Sequence, residues 1–301
     1  MDAFTFPLAC QALPRLCQRF GVEGAIPEEI FPALADKKAI EALNERREKL
    51  LRELCLGRGV TAWDVFDGSG IGEERNAVAR RFVKTGSPTL DVASGRGYFA
   101  FACARLGAAV TATDVMDGED RAGWWKAFLE SAATLGLGRS VEALQADALR
   151  LPLRSQRFET VTSIHALRNI LARGRWSGVV SEMQRVTAMG GSVVIAESCL
   201  EPESEAEEVY LAYLRLREAL GWETRLPQRG EVEEMLEEEG LSKIRTSKER
   251  FARDYAPVEF PAYSISGQAP SIREKHLNIE RRRAKVGIKP TPVMIVSATK
   301  V

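Results

Sequence analysis

"LDVASGRGYFAFACARLG", residues 90–107, decides how this chain is read. An apolar run closes around an aspartate, two glycines follow within a few residues, and an amphipathic segment opens directly behind them. A buried strand, a bare turn and a helix are the simplest elements that satisfy such a pattern. Gly95 and Gly97 permit positive φ and let a ligand touch main chain where a Cβ would intrude. The helix opening after Gly97 points unbonded N–H groups at the turn. The turn therefore suits an anionic or polar group.

Around this turn the chain alternates strand and helix. Strands are expected at 89–93, 109–115, 140–147, 159–166 and 192–198, with helical segments at about 97–107, 120–136 and 175–189. Strands rich in β-branched residues, separated by helices of ten or more residues, predict a doubly wound α/β fold on a parallel sheet. In such sheets ligands sit beyond the carboxyl ends of the strands, at the switch point between the two halves. After residue 198 the alternation loosens. Helices are expected at 203–222 and 230–240, then a strand in "SKIRTSKERFARDY", a connection over 252–290 with a basic helical stretch at 271–289, and a last strand at 291–300.

Residues 1–85 read as a helical extension or cap, and 86–301 as the main domain with the helix 203–222 and the segment 252–290 inserted. Within 27–56, Ile40, Leu43, Leu50, Leu51 and Leu54 recur at helical spacing. Gly68, Gly70 and Gly72 imitate a phosphate loop, but "TAWDVFD" before them is a poor buried strand, so 67–84 is read as a turn and a capped helix.

Composition narrows the class. The 301 residues are 45% apolar and 28% charged, with 42 acidic against 42 basic side chains. A net charge of zero gives no global attraction to nucleic acid or anionic membrane, so any such affinity would be local. Five cysteines without C-x-x-C spacing argue against a metal site or disulfide framework and for a reducing, cytoplasmic setting. The polarity of the first twenty residues is wrong for a signal peptide. No apolar run approaches the ~18 residues a spanning helix needs. A soluble protein is expected.

The ligand follows from charge. "G-R-G-Y-F-A" satisfies a dinucleotide pattern, yet Asp91 sits four residues before the first glycine, where it would repel a pyrophosphate and attract an ammonium. S-adenosylmethionine, with its ammonium, carboxylate, sulfonium, ribose diol and adenine, fits that mixture. Asp91 faces the ammonium side, the amides around Gly95 and Gly97 face the carboxylate, and Asp114, at the end of the second strand, accepts from the ribose hydroxyls. Asp147, just after the third strand, accepts from the adenine amino group while the Ala148 amide donates to the ring.

At this point the chain resembles a known family. "LDVASGRG", "DALRLPLRSQRFETVTSIHAL" and "EMQRVTAMGGSVVIAE" (182–197), in that order and spacing, are similar to blocks of the class I S-adenosylmethionine-dependent methyltransferases, nearest to the ubiquinone/menaquinone C-methyltransferase branch. The likeness covers about residues 85–200. Ala93 stands where many members have a third glycine, and Thr187-Ala188-Met189 replaces leucine-lysine-proline. The resemblance implies a seven-stranded Rossmann-like sheet whose C-terminal strand is antiparallel, and methylation of a small molecule at carbon or oxygen. It also implies a cofactor site of Asp91, Ala93, Gly95, Gly97, Asp114, Asp147, Ala148 and Ser163, with Val115 and Met116 flanking the adenine. Trp124 and Trp125 either pack in the core or rim that pocket. His165 and Glu197, at the ends of strands four and five, are candidates for a general base. Two other readings stay open: an RNA methyltransferase using the basic stretch 271–289, and a module that binds S-adenosylmethionine without turnover.

Overall fold

The computed structural model describes residues 5–22, 45, 49–50, 52–115, 121–170, 176–221, 226–228, 230–251 and 268–301. Along the chain run α1 (Thr5–Phe20), a π-helical turn (Glu53–Gly57), α2 (Ala62–Gly68), α3 (Gly70–Phe82), β1 (Pro88–Val92), α4 (Tyr98–Arg105) and β2 (Ala109–Asp114). Next come α5 (Arg121–Thr134), β3 (Val141–Gln145), β4 (Phe158–Ile164), α6 (Leu167–Ile170), α7 (Trp176–Val186) and β5 (Thr187–Ser198). The remainder is α8 (Glu205–Ala219), α9 (Glu231–Glu238), β6 (Leu241–Glu249), α10 (Pro270–Val286) and β7 (Val293–Lys300).

The chain divides into two compact units. The sheet unit comprises Glu74–Glu203, Gly221–Phe251 and Thr291–Val301. Its seven strands lie in the order β3-β2-β1-β4-β5-β7-β6. All pair in parallel except β7, which is antiparallel to both β5 and β6. The chain winds outward from β1 through β2 to β3, then returns to start β4 on the other side of β1. The switch point thus falls between β1 and β4, whose pairing sets Asp91 opposite Thr162. One core cluster joins Leu90, Val161, Val193, Ile195 and Val296 of the sheet to Val179, Val180 and Met183 of α7 and to Val232 and Leu236 of α9. Both helices present apolar residues at three- and four-residue intervals.

The helical unit comprises Met1–Glu73, Ser204–Leu220 and Ala252–Pro290. Thr61 and Asp64 close a capping box that starts α2, so "AWDVFDG" is a helix. Gly72 has no room for a side chain because the Phe66 carbonyl fills that space, which makes it a packing residue. In this unit α8 and α10 share a core of Val209, Tyr213, Leu216 and Ile279. Glu74–Phe82, expected within the N-terminal extension, falls in the sheet unit. Most of 27–56 and 252–267 lies outside the described residues.

One element starts earlier than expected. Strand β5 begins at Thr187. Its pairing with β4 jumps from Phe158↔Thr187 to Thr160↔Ser192, so the glycine turn expected before strand five is a bulge inside it. Among the described residues no helix is long and apolar enough to cross a membrane. No group of metal-ligating side chains is found among them either.

Candidate functional site

The site is built first from main chain. After β1, Ala93, Gly95 and Gly97 all take positive φ, at 55°, 52° and 79°. The Ser94 N–H donates to the Thr113 carbonyl at 2.9 Å and ties the turn to β2, while the Gly97 N–H donates to the Ser94 carbonyl at 2.9 Å. The two glycines differ in what lies beside them. A Cβ on Gly97 would run into the Phe128 ring of α5, whereas one on Gly95 would meet nothing within 4 Å. Gly97 is needed so that α4 and α5 can close behind the turn, where the Phe101 and Phe128 rings pack at a tilt of 41° with centroids 5.0 Å apart. Gly95 faces open space and can meet a ligand.

Three acids were expected around this turn. Asp91 is 1% exposed. Its Oδ1 accepts from the Thr162 hydroxyl at 3.1 Å, and its Oδ2 has no hydrogen-bond partner. Burial pushes its carboxyl up to about 7. The Thr162 hydrogen bond, the Arg75 charge and the Ala100 amide oppose that rise, and the charge of Asp114 adds to it. Asp114, partly exposed at the end of β2, accepts the Gly95 N–H on Oδ2 at 2.7 Å. This bond braces the turn against the acid expected to serve the ribose. Asp147 is exposed and folds onto its own chain, its Oδ1 accepting from the Leu149 N–H at 3.0 Å in an Asx turn. Ala148 beside it is buried. Val115 is half-buried, and its carbonyl accepts from the Gln145 side chain at 3.2 Å. Met116 and the side chains of Trp124 and Trp125 lie outside the described residues.

The segment after Asp147 is fixed from a distance. Arg185 of α7 donates to the Leu151 and Leu153 carbonyls at 3.0 and 2.8 Å, and pairs with Glu182 at 2.6 Å. Glu182 in turn accepts from the Leu151 N–H at 2.7 Å. The blocks "DALRLPLRSQRF" and "EMQRV" are therefore halves of one clamp.

Beyond β4 and β5 the polar groups are buried side chains. Ser163 is fully buried, and its hydroxyl makes no hydrogen bond. It lies next in sequence to Thr162, so alternation along the strand sends it to the opposite face of the sheet from Asp91 and its Thr162 partner. His165 takes a positive φ of 54°, and its N–H donates to the Ala196 carbonyl at 2.8 Å. Its Nε2 lies 2.7 Å from Oε1 of Glu74 on α3, and its Nδ1 lies 3.7 Å from Oε2 of Glu197. Glu197 is fully buried. Its Oε1 accepts from the Leu167 N–H at 2.9 Å, while Oε2 has no hydrogen-bond partner. Arg75 pairs with Glu74 through the same Oε1 that meets His165.

Sequence reading missed Glu74 and Arg75. The available signal was spacing: Glu74 stands four residues before Val78, on the buried stripe of α3. A carboxylate on that stripe needs a partner.

An open depression of about 380 Å³ lies at the opposite, amino edge of the sheet, among Pro88, Ala109, Ser140 and Arg157. The one carboxylate lining it, Glu142, has Arg157 3.7 Å away. The glycine turn and the acids lie at the carboxyl edge.

The profile of the methyltransferase domain family matches residues 90–195, from Leu90 of β1 to Ile195 of β5. That span contains the turn, all three acids and His165. Residues 90–195 are thus similar to a methyltransferase domain. The demethylmenaquinone methyltransferase of Thermobifida fusca is 32% identical to this chain over 157 residues, which are 52% of this chain and 58% of that protein. The ubiquinone/menaquinone biosynthesis C-methyltransferase of a Marinomonas species is 29% identical over 153 residues, 49% of this chain and 57% of that protein. The chain thus spans less than two thirds of these curated relatives. Among solved structures, the BH2331 protein of Bacillus halodurans shares the fold with a TM-score of 0.50 at 24% identity, over 75% of this chain and 98% of that one. The YcgJ protein of Bacillus subtilis does so with a TM-score of 0.52 at 15% identity, over 77% and 97%. The likeness to these structures is one of fold, a seven-stranded Rossmann-like sheet with one antiparallel strand.

Proposed function

We propose that the protein transfers a methyl group from S-adenosylmethionine to a small-molecule acceptor at carbon or oxygen. The observation that carries this is the pairing of an open turn at Gly95 with a buried Asp91 whose Oδ2 makes no hydrogen bond. A cationic group on the ligand answers that oxygen, directly or through water, where a pyrophosphate would be repelled. The expected amides of Gly95 and Gly97 are engaged within the chain, so it is the open face of the turn at Gly95 that receives the amino-acid end, while Asp114 accepts from the ribose and Asp147 with Ala148 serves the adenine. The cofactor supplies an electrophilic methyl on a sulfonium. The protein's own contribution is to hold donor and acceptor in line, which can account for roughly 7–11 kcal/mol of the barrier.

The relatives named for demethylmenaquinone and for ubiquinone/menaquinone biosynthesis support a quinone-like acceptor. The basic segment supports the small-molecule reading over RNA, because several of its cations are engaged inside the helical unit. Arg282 meets Glu208 at 2.7 Å, Arg283 meets Glu280 at 3.6 Å and Lys289 meets Glu207 at 3.7 Å. Calorimetric titration tests the cofactor. S-adenosylmethionine and S-adenosylhomocysteine are expected to bind saturably and NADH not to bind; the reverse order of affinity rejects the assignment. Transfer of labelled methyl to demethylmenaquinol, with total RNA as the competing acceptor, tests the substrate. Label in RNA alone would overturn the small-molecule reading.

A further inference from the structure

Resting on the methyl-transfer reading, we infer that Arg75 is a further cofactor-binding residue, which holds the α-carboxylate of S-adenosylmethionine while Asp91 answers the α-ammonium. The need for such a group arises at the turn itself. The Gly95 N–H is spent on Asp114 and the Gly97 N–H on the Ser94 carbonyl, so neither is available to an incoming carboxylate. A carboxylate drawn out of water needs a cation or several donors in exchange.

Helix α3 brings that cation to the face of the sheet where Asp91 lies. Two contacts fix its course along β4. The Phe82 carbonyl, at its C-terminal end, accepts from the Thr160 hydroxyl at 3.3 Å. Glu74, nearer its N-terminal end, lies 2.7 Å from His165, just past the end of β4. The helix therefore runs antiparallel to β4, with its N-terminal part at the carboxyl edge. Thr160 and Thr162 stand two residues apart on one strand and share a face, and Thr162 is the residue that bonds Asp91. So α3 covers the face on which Asp91 lies, and Glu74, Arg75, Asp91 and His165 all belong to the sheet unit.

Arg75 is held near Asp91 without pairing to it. Its charge reaches the Asp91 carboxyl and favours the ionised form, but among the described residues its ion pair is with Glu74, through Nη1. That contact uses one of five guanidinium donors and holds the fork in place, with the side chain 12% exposed. Asp91 keeps an Oδ2 that makes no hydrogen bond. An acid and a guanidinium kept apart on one face, beside an open turn, match the two ends of an amino-acid zwitterion. The planar fork suits a carboxylate because it can offer two parallel N–H groups. A neutral nucleoside would leave both charges unanswered.

The test compares two ligands that differ by one carboxylate. S-adenosylmethionine and decarboxylated S-adenosylmethionine are titrated calorimetrically into the wild-type protein, Arg75→Met and Arg75→Lys. The wild type is expected to bind the decarboxylated ligand about 10- to 150-fold more weakly. Arg75→Met should weaken S-adenosylmethionine by a similar factor without weakening the decarboxylated ligand, so that the preference disappears. Arg75→Lys keeps the charge but loses the fork, and should keep part of the preference. The preference is a ratio measured within one variant, so a general loss of affinity or stability cancels from it. Equal weakening of both ligands in Arg75→Met, or a preference that survives it undiminished, overturns the assignment. Near-UV circular dichroism checks the fold of each variant; should Arg75→Met not fold, an undiminished preference in Arg75→Lys overturns the assignment in its place. Wild-type protein that binds neither ligand rejects the methyl-transfer reading itself, whereas wild-type protein that binds both equally rejects only the role of Arg75.

Discussion

The two flanks of the switch point are built on different principles. On the β1–β2 flank, main chain does the work: a turn with three positive-φ residues, an amide held by Asp114, and one acid sealed beneath. Its residues lie close together in sequence. On the β4–β5 flank the polar groups are buried side chains from three distant segments, Glu74 from α3, His165 from the end of β4 and Glu197 from β5. A nucleoside common to many enzymes can be met by a stereotyped backbone turn. An acceptor particular to one enzyme has to be met by side chains, which change from one chain to the next at little cost to the fold.

That contrast can be broken most forcefully at Gly97. Replacing it with alanine combines overpacking against Phe128 with a positive φ, and about 2–5 kcal/mol of stability should be lost. Gly95→Ala meets open space and bears only the φ cost of roughly 1–2 kcal/mol, yet it should be the more damaging of the two to cofactor affinity relative to its effect on stability. Urea denaturation beside calorimetric titration reads both; equal behaviour of the two variants would erase the distinction between a packing glycine and a contact glycine.

Asp91 should make stability depend on pH. Its folded pKa of about 7 lies above the unfolded carboxylate value. The contribution is therefore fully present below about pH 4, falls as pH rises toward 7, and is constant beyond. Asp91→Asn should abolish that fall, which is bounded by about 4 kcal/mol. The same proton must leave when a cationic ligand pairs with the carboxylate, so cofactor affinity should rise with pH up to about 7. Denaturation at pH 5 and pH 8 and titrations in buffers of differing ionisation heat check the two halves.

A smaller effect is expected at Asp114. On the proposed assignment, Asp114→Ala removes a charge-assisted bond to the cofactor ribose worth roughly 1.5–3 kcal/mol, or about 10- to 150-fold in affinity, with the fold intact. Smallest is Asp147→Ala. Loss of an exposed Asx turn should cost under about 1 kcal/mol of stability and weaken cofactor binding modestly. If Asp147→Ala proved worse than Asp114→Ala, the nucleoside would be held from the β3 side and the β1–β2 flank would lose its leading part.

Most of the sheet was legible because its strands are continuous runs of β-branched and apolar residues, as in "TLDVA" and "SVVIAES". The glycine turn and the place of Asp91, Asp114 and Asp147 near strand ends were legible because they follow one another within a few residues of each strand. Glu74 was not, since a glutamate on an amphipathic helix looks like solvated surface until its partner 91 residues away is known. The start of β5 was missed for a related reason: a bulge at Gly190 and Gly191 interrupts the alternation that marks a strand. Gly97 was expected as a ligand contact, and nothing local announces that its neighbour is the ring of Phe128.

The antiparallel strand β7 has a consequence for how the protein is made. It is wedged between β5 and β6, and β6 reaches the sheet only through it. During synthesis the edge of β5 must wait, with its carbonyls and amides unanswered, while residues 199–292 are added. At roughly 5–20 residues per second that is several seconds, during which a long apolar strand is open to any other nascent chain. Completion of the sheet is a late event, and the hazard of misassociation belongs to the interval before it.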